Sequence, residues 1–156
     1  MSFLGKGKAI EREFAKLFNN VTFSDTSQDI KEHWDVSVNF KFDVKGLKKK
    51  NRNDETVDER IHWIEIKNVL GEKGSLYGDA DYFVFELHDY WIIVDKLKLQ
   101  EYIAINTIKK YTRIPMLNRL YKRDGRKDVL TLVSTFDLIY ISETLIKKNK
   151  INAPIV

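Results

Sequence analysis

The stretch His33-Trp34-Asp35-Val36-Ser37-Val38-Asn39-Phe40-Lys41-Phe42-Asp43-Val44-Lys45 decides how the rest of the chain is read. Successive side chains of a strand point to opposite faces. Val36 and Val38 therefore face away from Asp35, Ser37 and Asn39, and Phe40, Phe42 and Val44 form an apolar face opposite Lys41, Asp43 and Lys45. Such alternation predicts two half-buried strands. A short turn at Asn39 pairs them as a hairpin, brings Asp35 near Asp43 and keeps Asp43 and Lys45 on one face. Two carboxylates that close repel at neutral pH unless a cation lies between them. Hard oxygen ligands of this kind suit Mg²⁺, which keeps several waters and takes few protein ligands. An amine beside them can orient a water or offset charge developing on a phosphate. A strand reading Asp-x-Lys is also what a solvated face produces by chance, and only residues elsewhere in the chain separate the two.

Length and composition set the outer limits. At 156 residues and 43% hydrophobic content the chain is expected to fold as a single domain, 1–156, with a core of ordinary size. No apolar run approaches the length of a membrane span, and the first residues, Met1-Ser2-Phe3-Leu4-Gly5-Lys6, lead into charge instead of a signal-peptide core. The chain has no cysteine, which excludes disulfides, thiolate zinc sites and a cysteine nucleophile and fits a reducing cytoplasm. Its three histidines, His33, His62 and His88, are too scattered to suggest a histidine metal site.

The net charge of +4 is modest, so its distribution carries more information. One basic cluster, Lys41, Lys45, Lys48, Lys49, Lys50 and Arg52, runs straight out of the second strand. Another gathers Lys109, Lys110, Arg113, Arg119, Lys122, Arg123, Arg126 and Lys127 around the lone acid Asp124. Clusters of this kind bind phosphate backbones through counterion release, without reading sequence. Lys48, Lys49 and Arg52, adjoining the carboxylates, are the expected DNA-binding residues.

Outward from the quoted stretch, the chain alternates helices and strands. Ile10, Phe14, Leu17 and Phe18 recur at helical spacing and predict a helix over 9–18, after a flexible basic lead at Gly5-Lys6-Gly7-Lys8. Residues 21–23 suit a short strand, and 24–31 a polar loop or short helix. A polar loop over 47–60 precedes a strand over 61–68, with His62, Ile64 and Ile66 opposite Trp63, Glu65 and Lys67. The apolar runs 81–87 and 90–94 flank His88-Asp89 and read as a central hairpin. Asp95 can cap a helix over 96–106, and Asp124-Gly125 can turn a hairpin between 118–121 and 129–133. A last helix is expected over 134–149.

This order, with Asp35 and Asp43-Val44-Lys45 on adjacent strands, resembles the PD-(D/E)XK nuclease superfamily. Gly7-Lys8-Ala9-Ile10-Glu11-Arg12-Glu13 looks like the first helix of its archaeal Holliday-junction-resolvase branch, where a glycine precedes a Glu-Arg pair. The stretch Trp63-Ile64-Glu65 and the run from Gly74 to Tyr82 are also similar to uncharacterised phage-encoded members. The matching covers roughly the first ninety residues. It implies one α/β domain with a central mixed sheet flanked by helices, the restriction-endonuclease-like core. It implies Mg²⁺- or Mn²⁺-dependent hydrolysis of DNA phosphodiesters, with branched DNA as a substrate, a homodimer as the acting unit and the cytoplasm, or a host's cytoplasm, as its place. On this resemblance Glu11, Asp35 and Asp43 are the metal ligands and, with Lys45, the catalytic set. Trp34 stands where the family's motif has proline, and Asp43 where glutamate is commoner.

A competing assignment takes Asp43 as the lone aspartate and Glu65-Ile66-Lys67 as the acid-x-lysine triplet. The first set is preferred because a short turn joins its strands and basic residues follow Lys45 directly.

Overall fold

The computed structural model describes residues 3–148. In chain order the elements are α1 (Phe3–Ala15), β1 (Thr22–Phe23), α2 (Thr26–Glu32), β2 (Val36–Ser37), β3 (Lys41–Lys45), β4 (Ile61–Lys67), a 3-10 turn (Ser75–Tyr77), β5 (Tyr82–Glu86) and β6 (Tyr90–Asp95). They continue with α3 (Lys96–Asn106), β7 (Ile108–Thr112), β8 (Arg119–Tyr121), β9 (Val129–Ser134), α4 (Thr135–Ile141) and β10 (Thr144–Lys147). The class is α/β, with mixed sheets flanked by helices.

The strands form two sheets instead of the expected single central one. The larger runs β1-β2-β3-β5-β6-β10, all neighbours antiparallel except β3 and β5, which are parallel. The smaller runs β4-β9-β8-β7. Alternation marks β4 as a strand but does not name its partner, and Ile61 pairs with Ser134 far along the chain.

Each face of the larger sheet buries a different cluster. Under α1 lie Phe14, Val36, Phe42, Val84, Trp91 and Ile93, with Val38 and Val44 packed against them. Phe14 meets Phe42 and Trp91 edge-on at 5.3 and 5.4 Å. On the opposite face Phe83, Phe85, Ile92 and Val94 pack against Ile64 and Val133 of the smaller sheet and against α3 and α4. Burying a side chain of this size is worth roughly 1.5–3 kcal/mol, so the two clusters hold the layers α1, larger sheet and smaller sheet together.

Two helices differ from expectation in their bounds. Gly5-Lys6-Gly7-Lys8 lies within α1, because seating Ile10 and Phe14 on the sheet outweighs the roughly 1 kcal/mol that each helical glycine costs. The helix stops at Ala15, and Leu17 and Phe18 follow in turns while still reaching the core. The expected last helix is only α4, capped by the Ser134 hydroxyl accepting from the Asp137 amide at 3.1 Å. Residues 144–147 instead form β10 on the free edge of β6, an edge that would otherwise stand unpaired. The end of that expectation, Asn149, lies outside the described residues. Among the described residues no helix is long and apolar enough to cross a membrane.

Candidate active site

The β2–β3 hairpin builds the centre of the site. Val36 pairs with Phe42, so the next position out sets Asp35 opposite Asp43. The Asp35 amide donates to the Phe42 carbonyl at 2.8 Å, and its Oδ2 accepts from the Val44 amide at 2.7 Å. Asp43 is 4% exposed. Its Oδ1 meets the Lys45 Nζ at 2.7 Å, while its Oδ2 is buried with no hydrogen-bond partner. Lys45 passes over the Phe83 ring, on the face of the sheet away from α1.

Electrostatics tie these groups together. Burial, then repulsion from Asp43, pushes the Asp35 carboxyl up to about 7 against the pull of the Val44 amide and Lys45. Burial also raises Asp43, and the lysine beside it only partly offsets this. Burial alone would lower the Lys45 ammonium, but Asp43, Asp35 and Glu65 outweigh it and hold the amine above its ordinary value. Lys45 is therefore a cation at neutral pH, fit to donate and to neutralise charge, not to accept a proton.

Glu11 reaches the same group from α1. Burial and then Asp29 raise its carboxyl, with Asp43 adding to the effect and Lys8 and Arg12 opposing it. Glu13, two positions on, points elsewhere and lies 3.9 Å from the Lys148 ammonium. Asp29, on α2, was not singled out by the sequence, yet its charge acts on both Glu11 and Asp43. The signal that could have found it is the capping box of Asp25 and Gln28, which starts a helix and sets Asp29 one turn along it. His33 closes that helix in a left-handed conformation, with φ of 55°, and when protonated its charge also acts on Asp43.

The competing triplet is split. Glu65 acts on Lys45, and its Oε1 accepts from the Ser75 amide at 3.2 Å. Lys67 is exposed at the far end of β4, in a backbone bridge with Lys73. A register shift falls between Glu65 and Lys67, where β4 carries an extra residue opposite β9. Such a bulge breaks the regular alternation that would put Glu65 and Lys67 on one face.

The chain matches no family model, no curated protein and no solved structure. What the site can do must therefore come from its own geometry.

Among the described residues, no group of three or more histidines, cysteines, aspartates or glutamates stands ready to hold a metal ion. The pair Asp35 and Asp43 nevertheless fits a hard cation that keeps most of its water: two adjoining carboxylates, both resisting ionisation, and one buried oxygen without a partner. Glu11 completes the acidic side as a charge felt at a distance instead of a third ligand already in place.

Lys48, Lys49 and Arg52 leave the site on the exposed loop that follows β3. The loop is pinned at its base, where Lys48 and Lys49 carbonyls accept from the Asp58 amide at 3.0 Å and the Trp63 indole at 3.2 Å. The Trp63 ring in turn rests on Tyr121 of β8, with centroids 5.3 Å apart.

Proposed function

We propose that this protein is a Mg²⁺-dependent DNA endonuclease of the PD-(D/E)XK type. The observation that carries the reading is the unpartnered buried Oδ2 of Asp43, on a carboxylate that acts electrostatically on Asp35 and pairs with Lys45 through its other oxygen. A buried polar atom without a partner costs roughly 1–3 kcal/mol, and a cation relieves it along with the repulsion from Asp35. The finer fold assignment, a restriction-endonuclease-like core, draws support from α1 packed on a mixed sheet whose adjacent strands carry Asp35 and Asp43-x-Lys45.

Asp35 and Asp43 would hold the cation, Mg²⁺ or Mn²⁺, with Glu11 adding negative charge on the same side. Bound there, it supplies Lewis-acid polarisation of a phosphate and acidification of a water. The Val44 amide fixes the Asp35 carboxylate, so that its other oxygen is presented in one orientation. Lys45, charged and anchored on Asp43, donates toward the phosphate and offsets the charge that develops on it. Lys48, Lys49 and Arg52 draw the backbone toward the hairpin. Glu65 lines the same cleft behind Lys45. Branched DNA as substrate and a homodimer as the acting unit extend the same proposal, since two sites related by a two-fold cut two strands. Light scattering of the protein with a four-way junction tests this, expecting two chains per junction.

Supercoiled, linear and four-way-junction DNA incubated with the protein in Mg²⁺ or in EDTA tests the chemistry. Nicking in Mg²⁺ that is abolished by EDTA and falls at least about a hundredfold in Asp43→Asn is the expected result. Lys45→Ala is expected to lose a similar factor, and Lys67→Ala little. Loss of cleavage in Lys67→Ala with retention in Asp35→Asn would restore the competing assignment.

A second reading rests on the same acids. No three of them stand together as a ready metal group among the described residues, which favours a DNA-binding protein of this fold that does not cut. Salt-sensitive binding with no cleavage under any divalent cation would establish it.

A further inference from the structure

A second feature lies away from the carboxylates, at the end of the β8–β9 hairpin. A cavity of about 440 Å³ opens between β7 and the hairpin tip. Its volume is that of a small-ligand pocket, enough for one phosphate with its sugar. The lining is unusually cationic: Arg113, Lys122, Arg123 and Arg126 against one lining acid, Asp124.

The hairpin holds these charges in place. The Arg126 amide donates to the Arg123 carbonyl at 3.2 Å, closing a turn in which Gly125 takes a φ of 70°. Arg123 is fixed by a hydrogen-bonded ion pair with the buried carboxylate of Asp128. The Lys122 ammonium lies 5.7 Å from the centre of the Tyr111 ring. Arg113 reaches Asp124 at 3.2 Å, both ends of that pair being exposed. Lys122 and Arg126 are exposed cations with no carboxylate partner among the described residues. Asp124 and Asp128 already neutralise two of the four cations, which leaves Lys122 and Arg126 at the rim to draw in an anion. Arginine forks and a lysine suit the oxygens of a phosphate.

The position ties the cavity to the rest of the molecule. Tyr121, directly before Lys122, carries Trp63, and Trp63 holds the basic loop that leaves Lys45. Through Trp63, the hairpin is thereby tied to the basic loop that leaves the carboxylate site.

We infer that this cavity is a phosphate-binding subsite that grips the DNA backbone at a distance from the carboxylate pair. The inference rests on the DNA half of the proposed function and is independent of its chemistry.

The test is fluorescence anisotropy of a labelled duplex with the full chain in EDTA, over a range of salt. Lys122→Ala/Arg126→Ala alters two exposed side chains and is compared with Lys98→Ala/Lys147→Ala, which removes the same charge elsewhere on the surface. The pocket variant is expected to bind about tenfold more weakly and to lose nearly two from the slope of log affinity against log salt. The control pair is expected to bind within about twofold of the parent. Equal weakening by both pairs, or none by either, overturns the subsite. So does displacement of the duplex by micromolar inorganic phosphate or AMP, which would make the pocket a site for a free phosphate ligand. Binding that depends on the pocket without any cleavage keeps the subsite and ends the nuclease reading; cleavage with binding indifferent to the pocket does the reverse.

Discussion

At the scale of single residues, two buried groups pull the acid-base behaviour of the fold in opposite directions. Asp35 is raised from 3.8 to about 7, so between roughly pH 4 and 7 the folded chain keeps a proton that the unfolded chain has lost. Its contribution to stability is fully present below about pH 4 and is lost as pH rises through 7. His62 faces the core beside the Phe85 ring, and burial lowers it from 6.5 to about 4. Its contribution is present above about pH 6.5 and is lost as pH falls through 4. Shifts of this size correspond to roughly 3–4 kcal/mol each as an upper bound, and over pH 4–6.5 they oppose one another. Thermal unfolding of the parent from pH 4.5 to 7.5 is therefore expected to vary less than that of either variant. Asp35→Asn should gain stability with rising pH and exceed the parent at pH 8 by a few degrees, whereas His62→Phe should lose stability as pH rises. Parallel profiles for all three proteins would refute the assignment of these two groups.

Among the elements, α2 is short and depends on its ends. Asp25 and Gln28 cap it reciprocally, and its last carbonyls are held by the loop before β5, where the Asp79 amide donates to the Glu32 carbonyl at 2.6 Å. Gly78 packs so closely there that a Cβ would come within 2.6 Å of the His33 Cβ. Asp25→Ala is expected to cost about 1 kcal/mol and, read by hydrogen exchange, to speed the Asp79 amide more than amides in β5. The same scale shows what a sequence can yield. Hydrophobic alternation and apolar runs found β3, β4, β5, β6 and β9, and turn chemistry found all three hairpins, because these are local properties of a few adjacent residues. Period could not assign β10, where Leu145 and Ile146 suit a helix as well as a strand and only the open edge of β6 decides. Nor could it find β7, Ile108–Thr112, whose residues are nearly all exposed and show no buried face. Of the candidate site, Asp35, Asp43 and Lys45 were legible because a hairpin brings them together locally. Asp29 was not, since its link to Asp43 runs through the packing of α2 and not through spacing along the chain.

On the scale of the whole molecule, the two ends of the described chain meet on one sheet face. Ile146 of β10 joins the cluster under α1, and Lys148 lies 2.8 Å from the nearly buried Glu86 and 4.4 Å from the centre of the Trp91 ring. Glu86 also accepts from the Leu47 amide at 2.9 Å, just beyond Lys45. Removing residues 144–156 is expected to cost roughly 3 kcal/mol or more, by exposing Ile146's partners and leaving Glu86 without its cation. Urea unfolding measures this, and a midpoint unchanged from the full chain would show that β10 is dispensable. The parallel pairing of β3 with β5 bears on time as well as on space. Asp35 and Asp43 can meet early, in a hairpin closed by a few residues, but Asp43 is covered only when Phe83 arrives after the long excursion through β4. Strand β4 must in turn wait about seventy residues for β9. Closing such loops precedes any gain from the contacts they bring, and chains built this way fold slowly. A chain emerging from synthesis therefore carries its acidic hairpin exposed and fully hydrated until its second half is made. The raised proton affinity of Asp35 and Asp43 arises only when folding is complete.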